Sequence, residues 1–338
     1  MATEGKLPKL LIAIQEAVGI NATPTNKKEP TGLVDFLFSP NNKTGTIRYD
    51  RGNNKYGEVE VKYIPRGTRD TVQTAQTSNF STANKPTFRK ANASVSATFF
   101  QQFGLMLEDV EQILEGETEM LSILMASEME GLRQRLEEFY AAQITALFGV
   151  NRVTGDNLVR EIPLLTSAGY INPLGITTFR QDMRKNIFGN LAIIGDGNMM
   201  RYSDLVGVGT PLVDGAPTNS AQLNFDPYLS FETETNLGVN QVIVAEYGAL
   251  QPITLNRYRD NSDMEDIKNV MMDTVFDDTL PELELDLKIK FLDGFPEQYF
   301  VEFGGRFGLF VIPEDAYKST DLLFQNNGVL RYQFTQAS

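Results

Sequence analysis

The chain has 338 residues, 41% of them apolar, enough to bury a large core in one elaborate domain or two simpler ones. It contains no Cys, His or Trp, so thiol nucleophiles, imidazole bases, Ser-His-Asp arrangements and nearly all zinc sites are excluded. The net charge of −14 is unevenly spread: residues 1–100 carry fourteen Lys or Arg against eight Asp or Glu, residues 101–338 sixteen against thirty-six, so the two parts stand at +6 and −20. Within a homo-oligomer, a basic arm reaching an acidic neighbour would gain orientation-specific attraction. The same acidity makes the chain a poor general binder of nucleic acid.

The N-terminus begins Met-Ala-Thr-Glu, and its longest apolar run, Leu10 to Ile14, is too short and wrongly flanked for a signal peptide. No run approaches a membrane span, so a soluble cytosolic product is expected. Leu7, Leu10, Leu11, Ile14 and Val18 share one face of a short helix that Gly19 can end. From Asn21 to Pro30 the composition turns polar, as in an extended arm or linker. Between Thr44 and Pro65, Ile47 and Tyr49 and then Val59, Val61 and Tyr63 alternate with polar residues about a turn at Arg51–Lys55. That pattern predicts a β-hairpin, and its thin apolar content predicts that it projects toward a partner surface.

Thr87 to Phe99 alternates again and reads as a strand. Then comes the element that organises the chain. Across Glu117 to Phe148, the residues Leu121, Met125, Met129, Leu132, Leu136, Tyr140, Ile144 and Leu147 recur at spacings of three and four, predicting a helix roughly 48 Å long. Glu128, Glu130, Arg133, Arg135, Glu137 and Glu138 are expected on the opposite, solvated face, and Gly131 implies close packing or a bend. Thr154–Asn157 reads as a turn and Pro163–Pro173 as loop, followed by a helix over Thr177–Lys185, a buried strand at Leu191–Ile194, a helix over Met199–Leu205 and a second buried strand at Val242–Ala245. Residues of about 165 to 260 therefore read as an inserted mixed α/β module. Leu283, Leu285, Leu287, Ile289 and Phe291 alternate without fault as a strand, continued after Asp293-Gly294 by Tyr299–Phe303 and Phe307–Ile312. This strand and the one at 87–99 are expected to flank the long helix.

No catalytic constellation is visible. Gly207-Val208-Gly209 and Gly195-Asp196-Gly197 lack the third glycine or the flanking unit of a dinucleotide loop and read as turns. Residues 260–286 hold ten acids and one base, Lys268, without the spacing of a calcium loop, and read as solvated surface. Glu137-Glu138 and Asp277-Asp278 are adjacent pairs whose side chains diverge rather than converge for acid/base work.

The order of arm, hairpin, strand, long helix, inserted α/β module and returning strands resembles the major capsid proteins of tailed bacteriophages, the Hong Kong 97 fold. The most specific stretch is Arg306-Phe307-Gly308-Leu309-Phe310-Val311-Ile312-Pro313-Glu314-Asp315-Ala316-Tyr317, which looks like that family's closing strand. The resemblance implies an α+β fold with an N-terminal arm (1–43), an extended loop hairpin (44–86), a peripheral domain (87–164) with a spine helix (117–148), an axial domain (165–279), returning peripheral strands (280–318) and a C-terminal tail (319–338). It implies a shell protein and not an enzyme, without cofactor or metal, self-assembling into pentamers and hexamers around double-stranded DNA bound without sequence specificity. The expected location is the virion head, assembled in the host cytoplasm with a separate scaffold and with portal and decoration proteins as further partners. The basic loop residues Arg48, Arg51, Lys55, Lys62, Arg66 and Arg69 are the expected subunit-interface contacts. An encapsulin-type compartment shell and a carboxylate-dependent metal-binding enzyme are the alternative readings.

Overall fold

In the computed structural model the described residues are 6–20, 22–25, 30–42, 46–49, 58–63, 89–148, 160–169, 172–186, 189–195, 225–229, 241–255, 270–277, 280, 282–293, 296–313 and 327–337. The fold is α+β and the chain forms two compact units, each gathered from three separated stretches: 1–40, 95–140 and 252–309 in the first, 41–94, 141–251 and 310–338 in the second. The expected turn at 154–157 and helix at 199–205 lie outside the described residues.

The first unit is a sheet with helices on one face. Its strands run in the order β3 (Arg89–Met106), β11 (Gln298–Val311), β10 (Glu284–Leu292) and β9 (Val270–Phe276), all antiparallel. Here the sequence expectation needs correction. The strands beginning near 87 and 283 do not flank the long helix; both pair with β11 in one sheet. Perfect alternation explains why: Leu285, Leu287, Ile289 and Phe291 of β10, with Tyr299, Val301 and Phe303 of β11, are all buried on the same face. Each such fully buried side chain contributes about 1.5–3 kcal/mol. The two runs expected around 299–303 and 307–312 form one strand, whose pairing with β3 shifts register between Phe307 and Gly308. Glycine is required at position 304, because a Cβ would lie 2.1 Å from the Phe99 carbonyl oxygen.

Helices α1 (Lys6–Val18), α2 (Gly32–Leu37), α3 (Leu107–Glu115) and the first two-thirds of α4 (Glu119–Phe148) complete this unit. In α1, Leu7, Leu10, Leu11 and Ile14 are buried as the spacing predicts. Its Gln15 Nε2 donates to Asp273 Oδ2 and to the Thr274 carbonyl on β9. Helix α3 ends at Gly116, whose φ of 116° turns the chain into α4. In α4 the predicted stripe from Leu121 to Ile144 is buried; the side chain of Leu147 lies outside the described set. Phe139 meets Phe99 edge-on at 5.6 Å, and a Cβ on Gly131 would stand 3.1 Å from Gln101 Nε2, so α4 approaches β3 closely there.

The second unit is built on a five-stranded sheet in the order β4 (Arg160–Leu165), β12 (Val329–Gln336), β7 (Gln241–Glu246), β5 (Leu191–Gly195) and β6 (Phe225–Leu229). Two departures from expectation meet here. Only Pro163–Leu165 of the loop expected over Pro163–Pro173 belongs to β4; an edge strand tolerates proline because its outward side needs no donor. The segment expected as a C-terminal tail supplies β12, which lies between β4 and β7, parallel to one and antiparallel to the other. Helix α5 (Pro173–Asn186) seals one face: Ile176, Phe179 and Met183 pack on Ile162, Leu164, Leu191, Val244 and Tyr332. Phe179 sits at right angles to the rings of Tyr332 at 5.0 Å and Phe334 at 5.3 Å.

The predicted hairpin, β1 (Thr46–Tyr49) and β2 (Glu58–Tyr63), also belongs to this unit, with Ile47 opposite Val61 and Tyr49 opposite Val59. It is more deeply seated than its composition suggests. Val59, Val61 and Tyr63 are buried, β2 pairs with residues 89–94 of β3, and the Tyr63 ring lies 5.8 Å from that of Phe310. A short sequence needs few apolar residues to bury one face when a third strand extends the ribbon.

Candidate assembly surfaces

Of the six basic loop residues, Lys62 has a described side chain. It lies 3.9 Å from Glu60, which also takes Lys90 Nζ at 3.0 Å. Arg48 stands opposite Glu60 in the backbone register of the hairpin. Arg51, Lys55, Arg66 and Arg69 lie outside the described residues. The structure therefore brings two of the six onto one ribbon and is silent on the rest.

The charges on α4 are a correction. Arg135 and Glu138 do sit at the surface, paired at 3.2 Å, but Glu130 is 3% exposed and Glu137 is fully buried. The cause is that α4 is buried on two sides. One side faces the sheet through Phe139 and Gly131, and the other carries the N-terminal arm. Along that second side, Ser127 Oγ accepts the Thr25 amide at 2.8 Å, and the Phe38 ring meets Tyr140 edge-on at 6.1 Å. Between them the Glu137 carboxylate accepts the amides of Leu33 at 3.2 Å and Val34 at 2.8 Å. Those are N–H groups of the first turn of α2, whose own N-cap residue Thr31 makes no side-chain cap bond. Glu137 thus caps α2 from a neighbouring helix and straps the arm to the strut.

Asp277 likewise departs from the solvated surface expected of residues 260–286. It is 1% exposed, takes both Nε (2.7 Å) and Nη2 of Arg133 in a fork, and accepts the Leu280 amide at 3.1 Å inside the turn that links β9 to β10. Asp286 in β10 is also buried. Both adjacent acid pairs hide one structural carboxylate each. The signal for Glu137 was present in the spacing of Ser127, Glu130, Gln134 and Glu137, a second stripe with period three to four beside the apolar one. The partner of Asp277 is 144 residues away in sequence, and no local pattern shows it.

Burial pushes the phenol of Tyr140 far up, so it stays neutral, and raises the carboxyl of Glu128. Among the described residues no group of three or more acids is placed to hold a metal ion, and no helix is long and apolar enough to cross a membrane.

No family model and no curated protein sequence matches the chain. Solved structures similar to it include the capsid of cyanophage P-SCSP1u, at 10% identity and a TM-score of 0.45, with 94% of this chain and 92% of that one covered. The capsid asymmetric unit of cyanophage A-1(L) is similar at 13% identity and a TM-score of 0.47, over 90% and 96% of the two chains. A virus-like particle from Pyrococcus furiosus is similar at 10% identity and a TM-score of 0.40, over 97% and 99%.

Proposed function

We propose that the chain is the major capsid protein of a tailed bacteriophage: a Hong Kong 97-type subunit that assembles into pentamers and hexamers and encloses double-stranded DNA in the virion head. The observation that carries this reading is the order of parts along the chain. An N-terminal arm is strapped along a 30-residue helix, a hairpin and an 18-residue strand precede that helix, and a sheet module with its own helix α5 interrupts the return to β10 and β11. The closing motif fits the same scheme, with its β run forming the end of β11 and Pro313 following at once. In this reading residues 44–86 are the extended loop over an adjacent subunit, 87–164 with 280–318 the peripheral domain, and 165–279 the axial domain around the five-fold and six-fold axes. Arg48, Arg51, Lys55, Lys62, Arg66 and Arg69 contribute the loop's polar contacts to acidic neighbours, and scaffold, portal and decoration proteins are the further partners, with assembly in the host cytoplasm.

The chemistry agrees with a structural role. The buried carboxylates Glu137 and Asp277 are committed to backbone amides and an arginine, which fixes the fold. Repeated heterologous contacts that close into rings are what such a role requires. Sedimentation velocity of the purified chain, alone and with a co-expressed scaffold, tests it. Species of ring size and larger are expected; a monomer that stays monomeric with scaffold present contradicts it.

A further inference from the structure

The sheet of the first unit has a second face on which Asp286 is buried but Lys288, Lys290 and Leu292, further along β10, are partly or fully exposed. Helix α4 meets the sheet at Phe99 and Gln101, and α1 at Asp273; by the strand register these residues share the buried face with Leu287 and Phe303. The opposite face reads, strand by strand across the register, Met272, Lys288, Glu302 and Gln102, then Val270, Lys290, Phe300 and Gly104, then Leu292, Gln298 and Met106. Because Gly104 has no side chain, the half-buried Phe300 ring beside it is left uncovered on that side. The result is an open depression of about 220 Å³ whose floor includes Phe300 and Leu292 and whose rim carries Lys288 and Lys290. Met106, 48% exposed, closes the end of the apolar row. A neighbouring ladder holds the rim in place: Gln102 donates to Glu302, and Lys288 Nζ lies 3.8 Å from the same carboxylate.

A complementary feature stands elsewhere on the unit. The corner between α3 and α4 presents Met120, 75% exposed, amid the exposed acids Glu115, Glu117 and Glu119. The corner is rigid: the Gly116 amide donates to the Ile113 carbonyl at 3.2 Å and the Glu117 amide to that of Gln112 at 3.1 Å. Acids at the start of α4 favour its dipole, but that role gives no reason for a large apolar side chain held in water beside them. The corner is reached through α3, which packs against α1 on the helix-covered side.

We propose that the open sheet face docks a second copy of this chain, which inserts the Met120 corner so that its thioether lies over Phe300 and Leu292 while Glu117 and Glu119 meet Lys288 and Lys290. The contact is heterologous, apolar at the centre and ionic at the rim, and it propagates from copy to copy. It rests on the shell reading above, to which it adds a named pair of surfaces.

Charge reversal with rescue tests it on the full chain. K288E/K290E and E117K/E119K should each raise the concentration needed for assembly about tenfold, and the four changes together should return it to within about threefold of the unmodified chain. Met120→Ser, at a side chain already in water, should raise it too while the thermal melt stays unchanged. If the unmodified chain assembles and K288E/K290E assembles equally well, this contact is wrong and the shell reading stands. If K288E/K290E blocks assembly and E117K/E119K does not rescue it, with native melts throughout, the depression serves another partner and the proposal falls. An unmodified chain that never assembles contradicts both.

Discussion

Glu137→Gln probes the strap between arm and strut, and its effect can be worked from the geometry. The wild-type carboxylate accepts two amides, at 3.2 and 2.8 Å, from a fully buried position. Hydrogen bonds to a charged group contribute about 1.5–3 kcal/mol each. Glutamine keeps one accepting oxygen and turns an NH2 group toward the other amide, donor against donor. Relief of the buried charge offsets part of that loss, leaving about 2–3 kcal/mol. The damage should be local, because the amides belong to the start of α2. Hydrogen exchange followed by mass spectrometry should therefore show residues 31–38 exchanging about 30- to 150-fold faster, at tenfold per 1.4 kcal/mol, with β10 and β11 unchanged. Wild-type protection of 31–38 in this variant would refute the idea that Glu137 holds the arm.

Four further outcomes follow from the same structure. Arg133→Ala leaves Asp277 buried without its fork and should lower stability by about 3–5 kcal/mol in urea denaturation; a loss within 0.5 kcal/mol, roughly that of an ordinary surface change, would contradict the burial of that pair. Gly304→Val drives a side chain into the Phe99 carbonyl and should abolish soluble expression or lower the melting temperature by more than about 10 °C, whereas a wild-type melt would show that β3 and β11 do not approach there. Phe179→Ala removes the ring that α5 sets between Tyr332 and Phe334 and should cost about 3–5 kcal/mol, read as loss of protection in β7 and β12. Glu128, whose carboxyl is raised by burial, is disfavoured when ionised, so its penalty is absent below the unfolded pKa of about 4.3 and grows as pH rises through the folded value. Glu128→Gln should therefore raise the melting temperature at pH 7 and leave it unchanged near pH 4; the reverse order would contradict the assigned environment.

Much of the fold was legible because it depends on local period. The α4 stripe, the β10 alternation, the apolar runs of β5 and β7 and the two strands of the hairpin all follow from side-chain direction along a helix or strand, and each stands where the spacing put it. Pairing between distant strands was not legible. Nothing in residues 329–336 shows that they complete a sheet with residues 160–165 and 241–246, since parallel pairing with β4 leaves no turn signal. The buried charges were missed for a related reason. A helix covered on two sides buries polar positions that a one-sided pattern assigns to water, and Glu130 and Glu137 sit on that second side. Of the loop cations, Lys62 could be placed by alternation; the approach of Lys90 to the same Glu60 required the third strand, whose register with β2 is a tertiary fact.

Electron microscopy of the purified chain, expressed alone and with a co-expressed candidate scaffold, tests the central claim most directly. The account predicts closed icosahedral shells, or free rings of five and six subunits, in which the 30-residue helix and the strapped arm recur in every copy. Uniform monomers or small closed dimers in both preparations would contradict it.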